Sequence, residues 1–178
     1  MASVDEAQLK TYIRDIPDFP EPGIVFKDIT PLLGDPAAFI ACVDGLAVAF
    51  PGAVDKVVGI EARGFIFGAP VATRLGAGFV PMRKPGKLPY DVAIQDYSLE
   101  YGTDSLEVHS DAMRSGDRVL VIDDVLATGG TGAASIDLVR SAGAVVVGFA
   151  VVVELGFLNG RQRLGDVPIA SLVTYAGG

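Results

Sequence analysis

The chain has 178 residues, 50% of them hydrophobic, and its 22 acidic and 14 basic side chains give a formal net charge of −8. A domain of this length buries roughly 70% of the surface that its unfolded chain exposes, so it can fold without a disulfide or a structural metal. Its one cysteine excludes an internal disulfide. Its acidic balance argues against general nucleic-acid binding, because a phosphate backbone is bound by a basic surface.

The N-terminal segment and the apolar runs predict the cellular location of the protein. The segment MASVDEAQLK has acidic residues where a secretory signal has basic ones. The longest apolar run, Ala142 to Val153, is shorter than the roughly 20 residues that a membrane-spanning helix needs. We therefore expect one cytoplasmic domain over residues 1–178 that binds neither a membrane nor nucleic acid.

The first fifty residues predict two helices separated by an extended arm. A short helix is predicted over residues 4–13. The four prolines from Pro17 to Pro31 favour an extended arm, because proline interrupts the hydrogen bonds of a helix and clashes with its preceding turn. Asp35-Pro36 is typical of an N-cap and first residue of a helix, and apolar residues at helical spacing continue to about Phe50.

The rest of the chain alternates between strands and helices. The predicted elements are a strand at 55–61, a helix at 67–76, a strand at 78–84, an antiparallel hairpin of 97–101 with 105–109, a strand at 118–125, a helix at 133–143, and strands at 145–155 and 168–175. Residues 85–96 contain turn-forming residues and have only weak periodicity. This alternation predicts a parallel sheet with helices on both faces.

Polar loops follow three of the predicted strands, where ligands of such sheets bind, beyond the carboxyl ends. They are EARG (61–64), RKPGK (83–87) and DDVLATGGT (123–131).

The third loop has the pattern of a sugar-phosphate site. A buried strand leads through Asp123 and Asp124 into a Thr-Gly-Gly-Thr turn and then a helix. Glycines allow backbone amides to approach a phosphate, and the helix N-terminus favours that negative charge. The two carboxylates are hydrogen-bond acceptors that suit ribose hydroxyls. No lysine follows the glycines, which excludes a Walker P-loop, and a Rossmann fingerprint is absent.

Residues 119–131 resemble the diphosphate-sugar motif of the type I phosphoribosyltransferase family. Further segments are similar to parts of that family in its order and spacing: 17–33, 59–72, 83–89 and 97–109. The resemblance implies an α/β fold, with a parallel sheet flanked by helices, an antiparallel flap over residues 85–109 that is mobile, and a small N-terminal hood over residues 1–34. It also implies transfer of a phosphoribosyl group from 5-phosphoribosyl 1-diphosphate to a base. The proline-rich arm resembles family members that use adenine.

By the same resemblance, three sets of residues bind the substrates. The ribose 5-phosphate is bound by Asp123, Asp124, Ala127, Thr128, Gly129, Gly130 and Thr131. The diphosphate is bound by Arg63, Arg83, Lys84 and Lys87. The adenine is bound by Val25, Phe26 and Lys27. The basic set provides the local positive field that an acidic protein needs in order to bind a polyanion.

The resemblance implies Glu100, Tyr101 and Arg63 as catalytic residues. Glu100 is expected to handle the proton that adenine N9 loses, and Tyr101 to close over the sugar diphosphate and exclude water. Glu61 is expected to orient Arg63. The implied cofactor is Mg²⁺, held mainly by substrate oxygens rather than by a protein metal site, and the implied assembly is a homodimer.

Two other functions remain open from the sequence. The base could be orotate, hypoxanthine or xanthine, although the arm over 17–33 favours adenine. Alternatively, the chain could be a non-catalytic regulator that senses nucleotides. Such a regulator usually needs a basic surface facing DNA or RNA, and a pI near 4.5 argues against one.

Overall fold

The computed structural model describes residues 5–98 and 103–177. In chain order the helices are α1 (Glu6–Lys10), α2 (Thr30–Gly34), α3 (Pro36–Val48), α4 (Gly64–Leu75) and α5 (Gly130–Ser141). The strands are β1 (Arg14–Pro17), β2 (Val25–Asp28), β3 (Lys56–Ile60), β4 (Gly78–Met82), β5 (Val92–Ser98), β6 (Thr103–His109), β7 (Arg118–Leu126), β8 (Val145–Leu155) and β9 (Ile169–Tyr175).

The centre of the fold is a five-stranded parallel sheet in the order β4-β3-β7-β8-β9. The packing of strand β7 explains why its consecutive residues are apolar. Its Val119 and Val121 pack in a cluster with α5 and the β5–β6 hairpin, whereas Leu120 and Ile122 pack with α3 and α4 on the opposite face. Because side chains alternate along a strand, a sheet covered on both faces needs a continuous hydrophobic run. The predicted α/β architecture is confirmed.

Two small antiparallel sheets flank the central one. Strands β1 and β2 pair within the N-terminal arm, and β5 and β6 form a hairpin in which Tyr97 lies opposite Asp104. Arg83 and Glu107 exchange backbone hydrogen bonds of 2.9 and 2.7 Å. The hairpin is therefore attached to the chain just beyond the end of β4.

Helix α3 begins as predicted, because the Asp35 side chain accepts a hydrogen bond of 2.8 Å from the Ala38 amide. The prediction that the proline-rich arm contains no helix was wrong. A short helix, α2, starts inside it, since Pro31 lies in its first turn, where proline has no hydrogen bond to lose. The predicted antiparallel hairpin is confirmed, but its first strand, β5, starts at Val92 rather than at Tyr97; pairing with β6 along its full length compensates for the weak periodicity before Tyr97.

The segment between β8 and β9 was not predicted to be ordered. It forms two 3₁₀ turns, Gly156–Leu158 and Gly160–Leu164. Glu154 and Arg161 join it to the sheet through a bidentate pair with distances of 2.5 and 2.6 Å. Among the helices within 5–98 and 103–177, none has the length and apolar character needed to cross a membrane.

Candidate active site

The three polar loops lie together beyond the carboxyl ends of β3, β4 and β7. They enclose a polar cleft of about 220 Å³. Its lining contains these predicted site residues: Arg63, Lys84, Asp123, Asp124 and the loop from Ala127 to Thr131. Parallel strands end at the same edge of a sheet, so loops far apart in sequence converge there.

The loop from Ala127 to Thr131, termed the phosphate loop, connects β7 directly to α5. Gly129 has φ +83°, a left-handed conformation that favours glycine, and α5 begins at the next residue. The loop is also packed from behind, because a Cβ atom on Gly160 would overlap the Ala127 carbonyl oxygen. Gly160 begins the second 3₁₀ turn, so that turn holds the phosphate loop in place.

The acid pair at the end of β7 is largely removed from solvent. Asp124 is 5% exposed and its Oδ2 lies 2.8 Å from Arg63 Nε. The Asp123 carboxylate accepts a hydrogen bond of 2.9 Å from the Asp124 amide. Burial and the neighbouring Asp124 charge raise the pKa of Asp123 well above its usual range.

A glycine lets α4 approach the acid pair closely. A Cβ atom on Gly64 would lie 2.9 Å from the Ile122 carbonyl oxygen and 3.1 Å from Asp123 Oδ1. Only glycine fits there without a shift of the backbone. This contact places Arg63, the residue before it, beside Asp124.

The prediction that Glu61 orients Arg63 was wrong. The Glu61 carboxylate instead faces the loop after β4, where it lies 3.3 Å from Arg83 Nε, 2.5 Å from Lys87 Nζ and 2.9 Å from the Lys84 amide. The pairing of β3 with β4 brings these loops side by side. Burial alone would raise the pKa of Glu61, but hydrogen bonds from Lys87, the Lys84 amide and Arg83 lower it to about 2.

The predicted diphosphate cations are therefore divided between two environments. Lys84 lines the cleft, whereas Arg83 and Lys87 lie outside its lining, against Glu61. A ligand in the cleft meets Arg63 and Lys84 directly. Arg83 and Lys87 are paired with Glu61, which itself lines the cleft.

Lys84 belongs to a hydrogen-bond network that the sequence did not reveal. Its ammonium donates to the Tyr97 hydroxyl at 2.7 Å and forms an ion pair with Asp104. The Tyr97 hydroxyl donates to Asp104 at 3.1 Å and accepts from Thr131 Oγ1 at 3.3 Å. Burial would lower the pKa of Lys84, but these hydrogen bonds raise it. The one sequence signal was that Tyr97 and Asp104 oppose each other in a hairpin, which requires the correct register.

An apolar pocket of about 180 Å³ adjoins the cleft, and the two share Arg63, Asp124, Val125 and Ala127. Its other lining residues come from the arm and from β8: Ile24, Val25, Phe26, Lys27, Ile29, Val153 and Leu155. The Phe26 ring centre lies 5.2 Å from the Arg63 guanidinium.

The predicted adenine residues behave differently within this pocket. Val25 and Phe26 line it, and Phe19 packs edge-on against the Phe26 ring at 5.2 Å. The Lys27 ammonium is occupied elsewhere, 2.8 Å from Asp15 and 4.2 Å from the centre of the Tyr175 ring. Lys27 therefore joins the arm to β9 and offers the pocket its backbone and side-chain stem.

The predicted catalytic residues Glu100 and Tyr101 lie outside the described residues. Within residues 5–98 and 103–177, no group of three or more His, Cys, Asp or Glu side chains is arranged to hold a metal ion. The carboxylates of Asp123, Asp124 and Glu61 line the cleft, and that of Glu61 is paired with Arg83 and Lys87.

Comparison with known proteins adds further findings. The model of the phosphoribosyl transferase domain family matches residues 38–167. An adenine phosphoribosyltransferase from Thermobifida fusca is 60% identical over 164 residues, which cover 92% of this chain and 93% of that protein.

The solved structures that are similar to this chain are also adenine phosphoribosyltransferases. The adenine phosphoribosyltransferase of Thermoanaerobacter pseudethanolicus has a TM-score of 0.93 and 52% identity, covering 96% of this chain and 100% of that one. The Saccharomyces cerevisiae enzyme, complexed with D-2,5-dideoxy-2,5-imino-altritol 1,6-bisphosphate and adenine, has a TM-score of 0.89 and 40% identity. That match covers 94% of this chain and 97% of the yeast chain.

Proposed function

The chain belongs to the phosphoribosyltransferase family, and from that premise we propose that it transfers the phosphoribosyl group of 5-phosphoribosyl 1-diphosphate to adenine, forming AMP and pyrophosphate. The observation that carries the proposal is the junction of the polar cleft with the apolar pocket. The two compartments share Arg63 and Asp124. A phosphorylated sugar suits the first compartment and a flat base suits the second.

The phosphate loop binds the 5-phosphate through backbone amides, including that of Thr131, and through the hydroxyl of Thr128; the Thr131 hydroxyl donates its one proton to Tyr97. The positive end of α5 adds to this attraction. Asp123 and Asp124 accept hydrogen bonds from the ribose hydroxyls next to it.

The diphosphate lies at the opposite end of the cleft, against Arg63 and Lys84. As the C1–O bond to the diphosphate breaks, negative charge develops on the leaving group, and fixed cations stabilise it. Arg83 and Lys87 contribute when the diphosphate draws them from Glu61. Arg63 also faces the Phe26 ring, so the same residue stands between leaving group and base.

The adenine lies in the apolar pocket with Phe26 against its face and backbone groups near Val25 at its edge. Its N9 electron pair forms the new bond to C1 from the side opposite the leaving pyrophosphate, which inverts the anomeric configuration. The N9 proton is lost, and Glu100 is the proposed acceptor. Tyr101 is the proposed cover that keeps water from the reacting carbon.

Magnesium is the proposed cofactor. The donor set fits an ion that enters with its substrate, because Mg²⁺ is often held by one or two carboxylates together with phosphate oxygens. Asp123 and Asp124 are the protein groups suited to this, and Asp124 already pairs with Arg63. When bound, the ion neutralises part of the diphosphate charge.

A homodimer is the proposed assembly. Ile66 on α4 and Phe79 on the edge strand β4 are 39% and 37% exposed, and the Phe79 ring packs against Phe65. A second copy of the chain would cover this patch. Ile66→Glu should shift the sedimentation coefficient towards a monomer, whereas Ile40→Glu, at a 59% exposed site on α3, should not. If both variants sediment like the wild type, the patch is not the interface.

The proposed location is the cytoplasm. Cys42 is a buried free thiol, and burial raises its pKa to about 12. Free thiols persist in reducing compartments.

Turnover with a panel of bases tests the proposed function. The protein is incubated with Mg²⁺ and 5-phosphoribosyl 1-diphosphate, and adenine, hypoxanthine, guanine, xanthine and orotate are offered separately. Formation of AMP from adenine, with little product from the other bases, is the expected result. Turnover of another base alone would refute the choice of adenine. Binding of the diphosphate without turnover of any base would indicate a nucleotide-sensing regulator instead.

A further inference from the structure

The hydroxyl of Tyr97 lies between Lys84 and Thr131, two residues that line the cleft. It accepts hydrogen bonds from Lys84 at 2.7 Å and from Thr131 at 3.3 Å, and it donates to Asp104 at 3.1 Å. A phenol oxygen has one proton to donate and two lone pairs to accept with. All of its hydrogen-bonding capacity is therefore used within this network.

The partners of this hydroxyl come from separate elements. Lys84 follows β4, Tyr97 and Asp104 lie on the two strands of the hairpin, and Thr131 is the second residue of α5. Tyr97 is only 9% exposed, and its ring packs in the core cluster on that face of the sheet. Because the core holds the ring, the hydroxyl keeps its place while the more exposed Lys84 side chain can move.

We propose that Tyr97 is a positioning residue that couples the 5-phosphate end of the cleft to the diphosphate end. The proposal rests on the proposed function, which assigns Thr131 to the first end and Lys84 to the second. Through one oxygen, Tyr97 holds the Thr131 side chain, and with it the backbone amide of Thr131 in the phosphate loop, and also directs the Lys84 ammonium. Loss of that oxygen weakens binding at both ends, and a change at Thr131 alters binding at Lys84, which it does not contact directly.

Binding of two partial ligands separates the ends. Inorganic pyrophosphate with Mg²⁺ probes the diphosphate end, and ribose 5-phosphate probes the phosphate loop, each by isothermal titration calorimetry. Tyr97→Phe keeps the buried ring and removes the hydroxyl, so we expect about tenfold weaker binding of each ligand, the size associated with one hydrogen bond to a charged group. Tyr90→Phe, at a 61% exposed tyrosine just before β5, is the matched control and should bind both ligands like the wild type.

A double-mutant cycle tests the coupling itself. Thr131→Val should weaken pyrophosphate about threefold in the wild-type background and have no effect on pyrophosphate in the Tyr97→Phe background. An equal effect of Thr131→Val in both backgrounds would overturn the coupling. So would a Tyr97→Phe variant that loses affinity for pyrophosphate alone.

Circular dichroism and thermal melting check that each variant is folded. If Tyr97→Phe does not fold, Thr131→Val alone decides, and unchanged pyrophosphate affinity in that variant would contradict the proposal. Adenine turnover by the wild type is measured in parallel. Absence of turnover together with intact coupling would refute the proposed function and leave the role of Tyr97 in place.

Discussion

The two ends of the cleft are built in different ways. The phosphate loop is one continuous piece of chain from Ala127 to Thr131, held between β7 and α5 and backed by Gly160. The diphosphate end uses side chains from separate loops, and carboxylates already occupy them: Glu61 pairs with Arg83 and Lys87, and Asp104 pairs with Lys84. The comparison shows a backbone site held in place by its neighbours beside a side-chain site whose cations are already paired with carboxylates.

The largest effect on activity should come from a substitution that displaces the phosphate loop. In Gly160→Ala the new methyl group overlaps the Ala127 carbonyl, so the phosphate loop must shift. A displacement of about 1 Å can cost roughly 100-fold in rate, and we expect kcat/KM for 5-phosphoribosyl 1-diphosphate to fall by about that factor. Gly34→Ala, at a glycine with open space around its Cβ position, is the control. Wild-type kinetics in a folded Gly160→Ala protein would show that the loop needs no support from behind.

At the diphosphate end, Lys84→Met should have the next largest effect. Methionine keeps the length of the side chain but removes the charge that faces the cleft. We expect KM for 5-phosphoribosyl 1-diphosphate to rise about 30-fold, within the range for loss of a charged hydrogen bond, and the KM for adenine to change far less. Lys10→Met, at an exposed lysine of α1, controls for net charge. Equal changes in both KM values would argue against a diphosphate role for Lys84.

The N-terminal arm provides a third test. Lys27 lines the apolar pocket, but its ammonium forms an ion pair with Asp15 within the arm. Its side chain is 7% exposed and its partner Asp15 is 57% exposed. Asp15→Asn leaves a buried ammonium without its partner charge and should lower the free energy of unfolding by about 2 kcal/mol. Lys27→Met leaves an exposed carboxylate and should cost about 1 kcal/mol. Urea denaturation measures both losses of stability. A larger loss for Lys27→Met than for Asp15→Asn would show that the Tyr175 ring, rather than Asp15, is the more important partner of the ammonium.

A fourth test uses the pH dependence that Glu61 contributes to the free energy of unfolding. Its pKa is lowered from 4.5 to about 2 in the folded protein, so the charged form stabilises the fold above pH 4.5, and this contribution is lost as the pH falls towards 2. The stability difference between wild type and Glu61→Gln should therefore be largest above pH 4.5 and shrink at lower pH. Urea denaturation across this range is the measurement, with the exposed Glu21→Gln as control. A difference that does not change with pH would contradict the ion pairs of Glu61.

The difference between the two ends of the cleft also explains which features of the site could be predicted from the sequence. The phosphate loop and its acids are contiguous, so their local pattern predicted the strand–turn–helix. The alternation of strands and helices along the chain predicted that the three polar loops lie at the same edge of the sheet. The partners of Glu61 depend instead on the pairing of β3 with β4. The Tyr97 network depends on the register of β5 with β6. Neither arrangement leaves a pattern in one stretch of chain.

The support of the phosphate loop by Gly160 was missed for a related reason. The two residues that approach each other, Ala127 and Gly160, are separated by β8, and a single glycine between arginine and asparagine resembles an ordinary turn. The ion pair of Lys27 was missed because its partners, Asp15 and the Tyr175 ring of β9, lie far from it in the sequence, whereas its place in the arm indicated only the pocket that it lines.

A crystal structure of the AMP complex would test the central claim most directly, because AMP spans both compartments. We predict the 5-phosphate on the backbone amides from Ala127 to Thr131, the ribose hydroxyls at Asp123 and Asp124, and the adenine ring against Phe26. A phosphate bound at Lys84, or an adenine ring outside the apolar pocket, would contradict the account.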